Sequence, residues 1–156
     1  MELIIGGCFQ GKLAYAKQRW EEAGTRVREE EILDGGSMVL CETAKWCGAR
    51  STEKDSFACV RILNQLHLLV RRFVETGKTQ EIIPLMDQLL ADWPDLLIVC
   101  DEVGLGLIPV EETERLYREA VGRTLCHLAR QARQMVRITG GFPLVIRSAD
   151  DAQLPS

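Results

Sequence analysis

The sequence predicts an α/β domain built on a mostly parallel sheet, and three observations predict it. A short apolar run, Leu3-Ile4-Ile5, feeds a glycine-rich stretch that opens an amphipathic segment. A second apolar run, Leu96-Leu97-Ile98-Val99-Cys100, is bounded by Pro94 and Gly104 and ends in Asp101 and Glu102. Such a continuous run suits a strand buried on both faces of a parallel sheet. Two further runs, 135–138 and 144–147, flank Thr139-Gly140-Gly141-Phe142-Pro143 and read as an antiparallel strand pair at the C-terminal end.

The first of these observations also carries chemistry. Gly6-Gly7-Cys8-Phe9-Gln10-Gly11-Lys12-Leu13 is the phosphate-loop pattern G-x-x-x-x-G-K-[S/T] in all but its last letter. Glycines let backbone N–H groups curl around phosphate oxygens, and the N-terminus of the following helix adds partial positive charge. Lys12 supplies a compact cation for the terminal phosphates. Leu13 stands where a hydroxyl ordinarily ligates Mg²⁺, so nucleotide binding is better supported than catalysis. The competing reading is a turn that only joins strand to helix. That reading gives no reason for a lysine at the positive end of the helix dipole.

Strand, loop and helix in this order predict a three-layer fold of the P-loop NTPase type. In open α/β sheets ligands bind at the carboxyl ends of the strands, which is where Asp101 and Glu102 fall. Asp101 is the candidate metal ligand, and Glu102 the candidate group facing the reaction centre with Lys12. The alternative is two acids that simply begin a solvated loop.

The other elements follow in order. Lys12 opens a helix ending near Gly24, and 25–32 is a weak strand candidate carrying Glu29-Glu30-Glu31. Asp34-Gly35-Gly36 is a turn. Residues 37–56 have no clean period and read as a long loop or lid, a place where function often sits. From Phe57 to Thr76, apolar positions at 59, 62, 63, 66, 69, 70 and 73 have the spacing of one helix face, with Gly77 as its cap. Residues 80–91 suggest another helix, and 111–134 a long one with acids early and arginines late. Its expected core face is Tyr117, Ala120, Val121, Leu128 and Ala132. The expected organisation is one domain over 1–148 and a polar tail over 149–156.

Composition narrows the partners. At 156 residues the chain suffices for one core. A hydrophobic share of 46% with 27% charge is that of a soluble globular domain, and no apolar run is long enough for a bilayer. The net charge of −4 argues against nucleic acid as a partner. No basic-then-apolar leader pattern is present, which sets the expectation of a cytoplasmic protein. The six cysteines include no C-x-x-C pair and there are two histidines, so free thiols are expected rather than a zinc site. Cys8, inside an anion-binding loop, is the thiol expected to have a lowered pKa.

Three blocks resemble the bifunctional adenosylcobinamide kinase/adenosylcobinamide-phosphate guanylyltransferase family of cobalamin biosynthesis. They are the Gly6-to-Lys12 loop, the block Glu102-Val103-Gly104-Leu105-Gly106-Leu107-Ile108-Pro109, and Ala120-Val121-Gly122-Arg123 with Leu128-Ala129 and the closing hairpin. The resemblance covers 1–24 and 95–147. It implies transfer of phosphate from ATP or GTP, with Mg²⁺, to the hydroxyl of a cobinamide, and assembly as a homo-oligomer, usually a trimer. It also implies guanylyl transfer through a histidine in an H-R-x-x-R-P-x-x-W stretch. Here the matching region has Lys45-Trp46 and Arg50 and no histidine. His67, the first histidine in the chain, reads as a helix-face residue. Two alternatives stay open: a nucleotide-binding or cobamide-sensing protein without turnover, and a small kinase acting on another alcohol. Among the arginines of 115–137, only Arg123 falls in a family-like block; the rest read mainly as a solvated helix face.

Overall fold

A computed structural model of the chain describes residues 1–38, 59–106 and 109–148. The sheet has six strands in the order β2-β3-β4-β1-β5-β6. β1 (Glu2–Gly6) is central, flanked by β4 (Leu97–Asp101) and β5 (Gln134–Thr139), and both pairings are parallel. β3 (Ile62–Asn64) joins β4 in parallel, and β2 (Ile32–Asp34) pairs in parallel with β3. β6 (Phe142–Arg147) is the one antiparallel strand. This is the expected three-layer α/β architecture.

Alternation along the strands divides the core. Leu3, Ile5, Leu63, Ile98 and Cys100 face α2 (Leu66–Glu75), α3 (Ile82–Asp92) and α4 (Glu112–Gln131), packing with Leu69, Phe73, Met86, Tyr117 and Leu128. Ile4, Ile62, Val99, Val136 and Ile138 face the other way, with Ala16 of α1 (Lys12–Glu22). Strands covered on both faces must be apolar throughout, and all five residues of β1 are buried. No helix among the described residues is long and apolar enough to cross a membrane.

Three local expectations are corrected. The single helix expected from Phe57 is a strand, β3, followed by helix α2. Ile62 and Leu63 are buried on opposite faces of the sheet, so their adjacency mimicked a helix stripe. Gln65 turns the chain at a left-handed φ of 56° between the two elements. The strand expected over 25–32 is instead mostly irregular, with a 3-10 turn at Glu29–Glu31, and the strand begins at Ile32. The three glutamates stay out of the ladder. Glu31 carries its own structural role there, accepting the Arg28 backbone N–H at 2.9 Å. The long helix ends at Gln131, because residues 134–139 are recruited as β5. The expected lid over 37–56 and the tail over 149–156 lie largely or wholly outside the described residues, as do Lys45, Trp46 and Arg50.

Candidate active site

Register places the site. In the β1–β4 pairing Gly6 lies opposite Asp101, so the glycine-rich loop and the first carboxylate leave the sheet side by side at its carboxyl edge. The Glu102 backbone N–H donates to the Gly6 carbonyl at 3.0 Å and extends that pairing by one residue. On the other side Gly6 lies opposite Ile138 of β5. A Cβ at Gly6 would collide with the Ile138 carbonyl, so only glycine lets the loop depart here. Gly11 then turns at φ 83° directly before α1, whose first residue is Lys12.

Lys12 is the buried cation of the site, with 6% of its surface exposed. Its ammonium donates to the Gly7 carbonyl at 2.6 Å and pairs with Asp101 Oδ1 at 2.7 Å. A buried ammonium is tolerated only when so partnered. Around it, Cys8 and Phe9 are exposed, and Phe9 holds a positive φ of 56°. Such backbone strain in a bulky residue persists where surrounding structure enforces it. Gln10 contributes to that enforcement: its side-chain oxygen accepts the Gly140 N–H, tying the loop to the turn between β5 and β6. Leu13 packs against the core patch formed by Ile4, Ala16 and Val99.

Sequence reasoning did not place His67 or Arg137 in the site. His67 lies in the first turn of α2, and its Nδ1 accepts the Asp101 backbone N–H at 3.3 Å. Its Nε2 is 3.9 Å from Asp101 Oδ2. Burial pushes the imidazole below its ordinary pKa, against the pull of the Asp101 carboxylate. The histidine expected on a plain helix face is therefore beside the site carboxylate. The signal was hidden because β3 had been merged into the helix. With a strand ending at Asn64, the first turn of the next helix falls on the ligand-binding edge. Arg137 donates to Glu102 Oε2 at 2.9 Å, so the Glu102 carboxylate is engaged by a guanidinium. Arg123 is not drawn in: it is exposed and pairs with Glu119 along α4 at 2.5 Å.

Two electrostatic details follow from this packing. Cys8 is not activated: desolvation and the Asp101 carboxylate raise its thiol pKa, and these outweigh the Lys12 charge. The expectation of a lowered value is thus corrected, because desolvation and then the Asp101 carboxylate act against the lysine charge. Cys100, buried beneath the site, is pushed up to about 12, mainly by desolvation.

The arrangement fits a polyphosphate. Lys12, the loop amides and the start of α1 concentrate positive potential at one point of the sheet edge. Among the described residues no group of three or more His, Cys, Asp or Glu could hold a metal ion. Mg²⁺ at nucleotide sites is usually held by one or two carboxylates together with phosphates and waters. Asp101 supplies one such carboxylate, so the residues fit an ion carried in on the phosphates rather than one caged by the protein.

A family model described as Cobinamide kinase / cobinamide phosphate guanyltransferase matches residues 38–146. The match includes β3, α2 with His67, Asp101, Glu102 and the closing hairpin; the glycine-rich loop lies upstream of it. A comparison with curated proteins gives no match.

Proposed function

We propose that this chain, which belongs to the cobinamide kinase / cobinamide phosphate guanyltransferase family, binds GTP or ATP at the glycine-rich loop and transfers the terminal phosphoryl group to a cobinamide hydroxyl. The observation that carries the reading is the Lys12–Asp101 pair at 2.7 Å, set at the loop by the Gly6–Asp101 register. Gly6, Gly7, Cys8, Phe9, Gln10, Gly11 and Leu13 form the cradle around Lys12.

Phosphoryl transfer asks little covalent chemistry of the protein; positioning and charge stabilisation do most of the work. Lys12 would exchange its Asp101 and Gly7 contacts for phosphate oxygens and follow the charge that develops on the transferring group. Asp101, released from the ammonium, would hold Mg²⁺. When bound, that ion neutralises charge on the β- and γ-phosphates. Glu102, held in place by Arg137, would lie at the rim where the acceptor hydroxyl approaches. Self-association belongs to the same proposal, and sedimentation of the purified chain tests it.

The direct test is incubation with ATP or GTP, Mg²⁺ and adenosylcobinamide, followed by separation of the phosphorylated product. Product from the wild type and none from Lys12→Ala is expected. A Lys12→Ala variant that is folded and as active as wild type would refute the assignment.

One observation favours a second reading, binding without turnover. Leu13 is committed to the core patch and leaves the metal one ligand short. Nucleotide binding that is insensitive to Mg²⁺, with no product, would support this reading over the first.

A further inference from the structure

We propose that the Phe9 side chain is the docking contact for the apolar body of the phosphoryl acceptor, and so selects a bulky ring-bearing alcohol over a small one. The role rests on the nucleotide-site reading above and assigns a residue to its acceptor side.

Phe9 carries two costs that a plain connecting turn would avoid. Its side chain is 99% exposed, although aromatic rings are among the side chains that gain most from burial. Its backbone holds φ at 56°, in the left-handed region that glycine or asparagine enters far more readily than a bulky residue. Among the described residues nothing covers the ring in return. Strain of this kind gathers at ligand clamps, where neighbouring structure maintains it. Here the loop is fixed on both sides of Phe9. The Lys12 ammonium donates to the Gly7 carbonyl at 2.6 Å, and the Gln10 side chain accepts the Gly140 N–H. A tethered loop thus holds the ring out in solvent.

Two more large apolar side chains stand at the same edge. Leu105 and Phe142 are 77% and 79% exposed. Leu105 follows β4 in the turn that Arg118 ties down through the Gly104 and Gly106 carbonyls. Phe142 opens β6 directly after Gly140-Gly141, the turn to which Gln10 is bonded. β4, β1 and β5 are neighbours in the sheet, so these side chains rise from the carboxyl ends of adjacent strands, at the edge that carries the Lys12–Asp101 pair.

A polyphosphate has no use for an apolar rim, since amides, Lys12 and a metal ion satisfy its oxygens. The acceptor does. Its hydroxyl must come within about 3–3.5 Å of the terminal phosphorus, and the rest of the molecule then lies against whatever borders the loop. A small alcohol leaves the rim wet. A broad apolar ring face covers it, and that burial holds the hydroxyl in place for transfer. The purine base is the competing occupant, but ribose and the α-phosphate separate it from the terminal phosphates that Lys12 engages.

Two variants separate ring from backbone. Phe9→Trp keeps an aromatic face; Phe9→Asn removes it and accepts the left-handed φ. Neither should lower the melting temperature, and a marked fall in Phe9→Asn would make the ring structural and overturn the proposal. Equilibrium dialysis of adenosylcobinamide, with Mg²⁺ and a non-hydrolysable GTP analogue present, reads acceptor binding through the visible absorbance of the corrinoid. Phe9→Asn is expected to weaken binding about tenfold and Phe9→Trp to stay within about threefold of wild type. In the kinase assay, KM for adenosylcobinamide should rise in Phe9→Asn with kcat nearly unchanged, and transfer to aminopropanol, which lacks the ring system, should not fall. An equal loss with both alcohols would overturn the proposal. So would unchanged dialysis in Phe9→Asn, or no adenosylcobinamide binding by wild type. A loss of GTP affinity in Phe9→Asn would place the purine on the ring and overturn it as well. Absence of GTP binding by wild type sinks the nucleotide reading instead, while dialysis still decides the role of Phe9.

Discussion

Leu13 sits where a phosphate-binding loop ordinarily carries a hydroxyl, and its side chain belongs to the core patch around Ile4 and Val99. Two effects oppose each other at this one position. Leu13→Ser would supply the missing Mg²⁺ ligand and remove half-buried apolar surface, at a cost of about 1–2 kcal/mol. We expect the variant to melt lower and to show greater Mg²⁺-dependent phosphoryl transfer; thermal melting and the product assay check the two halves separately. A lower melting point with no gain in transfer would show that the hydroxyl alone is not what limits the site. At this scale the sequence was informative where chemistry is local. The loop glycines, Lys12 and Asp101 were legible because the pattern is contiguous or ends an apolar run. His67 and Arg137 were not, since each joins the site through pairing between elements distant in the chain. Cys8 was misread for a related reason: its loop was visible, but the proximity of Asp101 came only with the β1–β4 register.

Among elements, the strand edges decide what the site can be. Gly6 ends β1 between Asp101 and Ile138, and the Ile138 carbonyl leaves no space for a Cβ. Gly6→Ala must push β5 away or bend the loop, so it should lower stability by about 1–3 kcal/mol and weaken nucleotide binding as well. Denaturant unfolding and a nucleotide titration of the same sample check this; stability and binding both at wild-type level would contradict the register argument. The entry to β2 makes a different prediction. Glu31 is buried and accepts the Arg28 N–H at 2.9 Å, with Arg28 and Arg61 beside it. The backbone bond, followed by the arginines, holds its carboxyl below the usual range. Its contribution is therefore complete above the ordinary carboxylate pKa and disappears as pH falls through the lower folded value. Glu31→Gln should lower the melting temperature by roughly 3 °C at pH 7 and have a smaller effect in acid. An equal loss at pH 7 and in strong acid would contradict the assignment. Neither consequence was readable in advance. Three consecutive glutamates in a strand candidate indicated only that the strand was weak, and the spacing of 59 to 73 concealed a strand inside an apparent helix. Long segments with one period, such as α4, were read nearly to their ends.

The whole molecule brings these pieces to one edge. Five parallel strands deliver their carboxyl ends together, and the glycine-rich loop, Asp101, Glu102 and the turn at Gly140 all leave from that edge. Fold class was legible because the runs buried on both faces and the closing hairpin each carry a distinct pattern; strand order was not, since it depends on which runs pair. Family membership and geometry meet here from different parts of the chain. The family match covers 38–146, while the cation that defines the site comes from residue 12. The central claim is that both act as one nucleotide site. Calorimetric titration of the purified chain with GTP and with ATP, with and without Mg²⁺, tests it most directly. Saturable binding of at least one nucleotide by the wild type is expected, with affinity reduced about a hundredfold or more in Lys12→Ala, the loss of a charge-assisted contact. Absence of binding to either nucleotide, or equal affinity in Lys12→Ala, would contradict it.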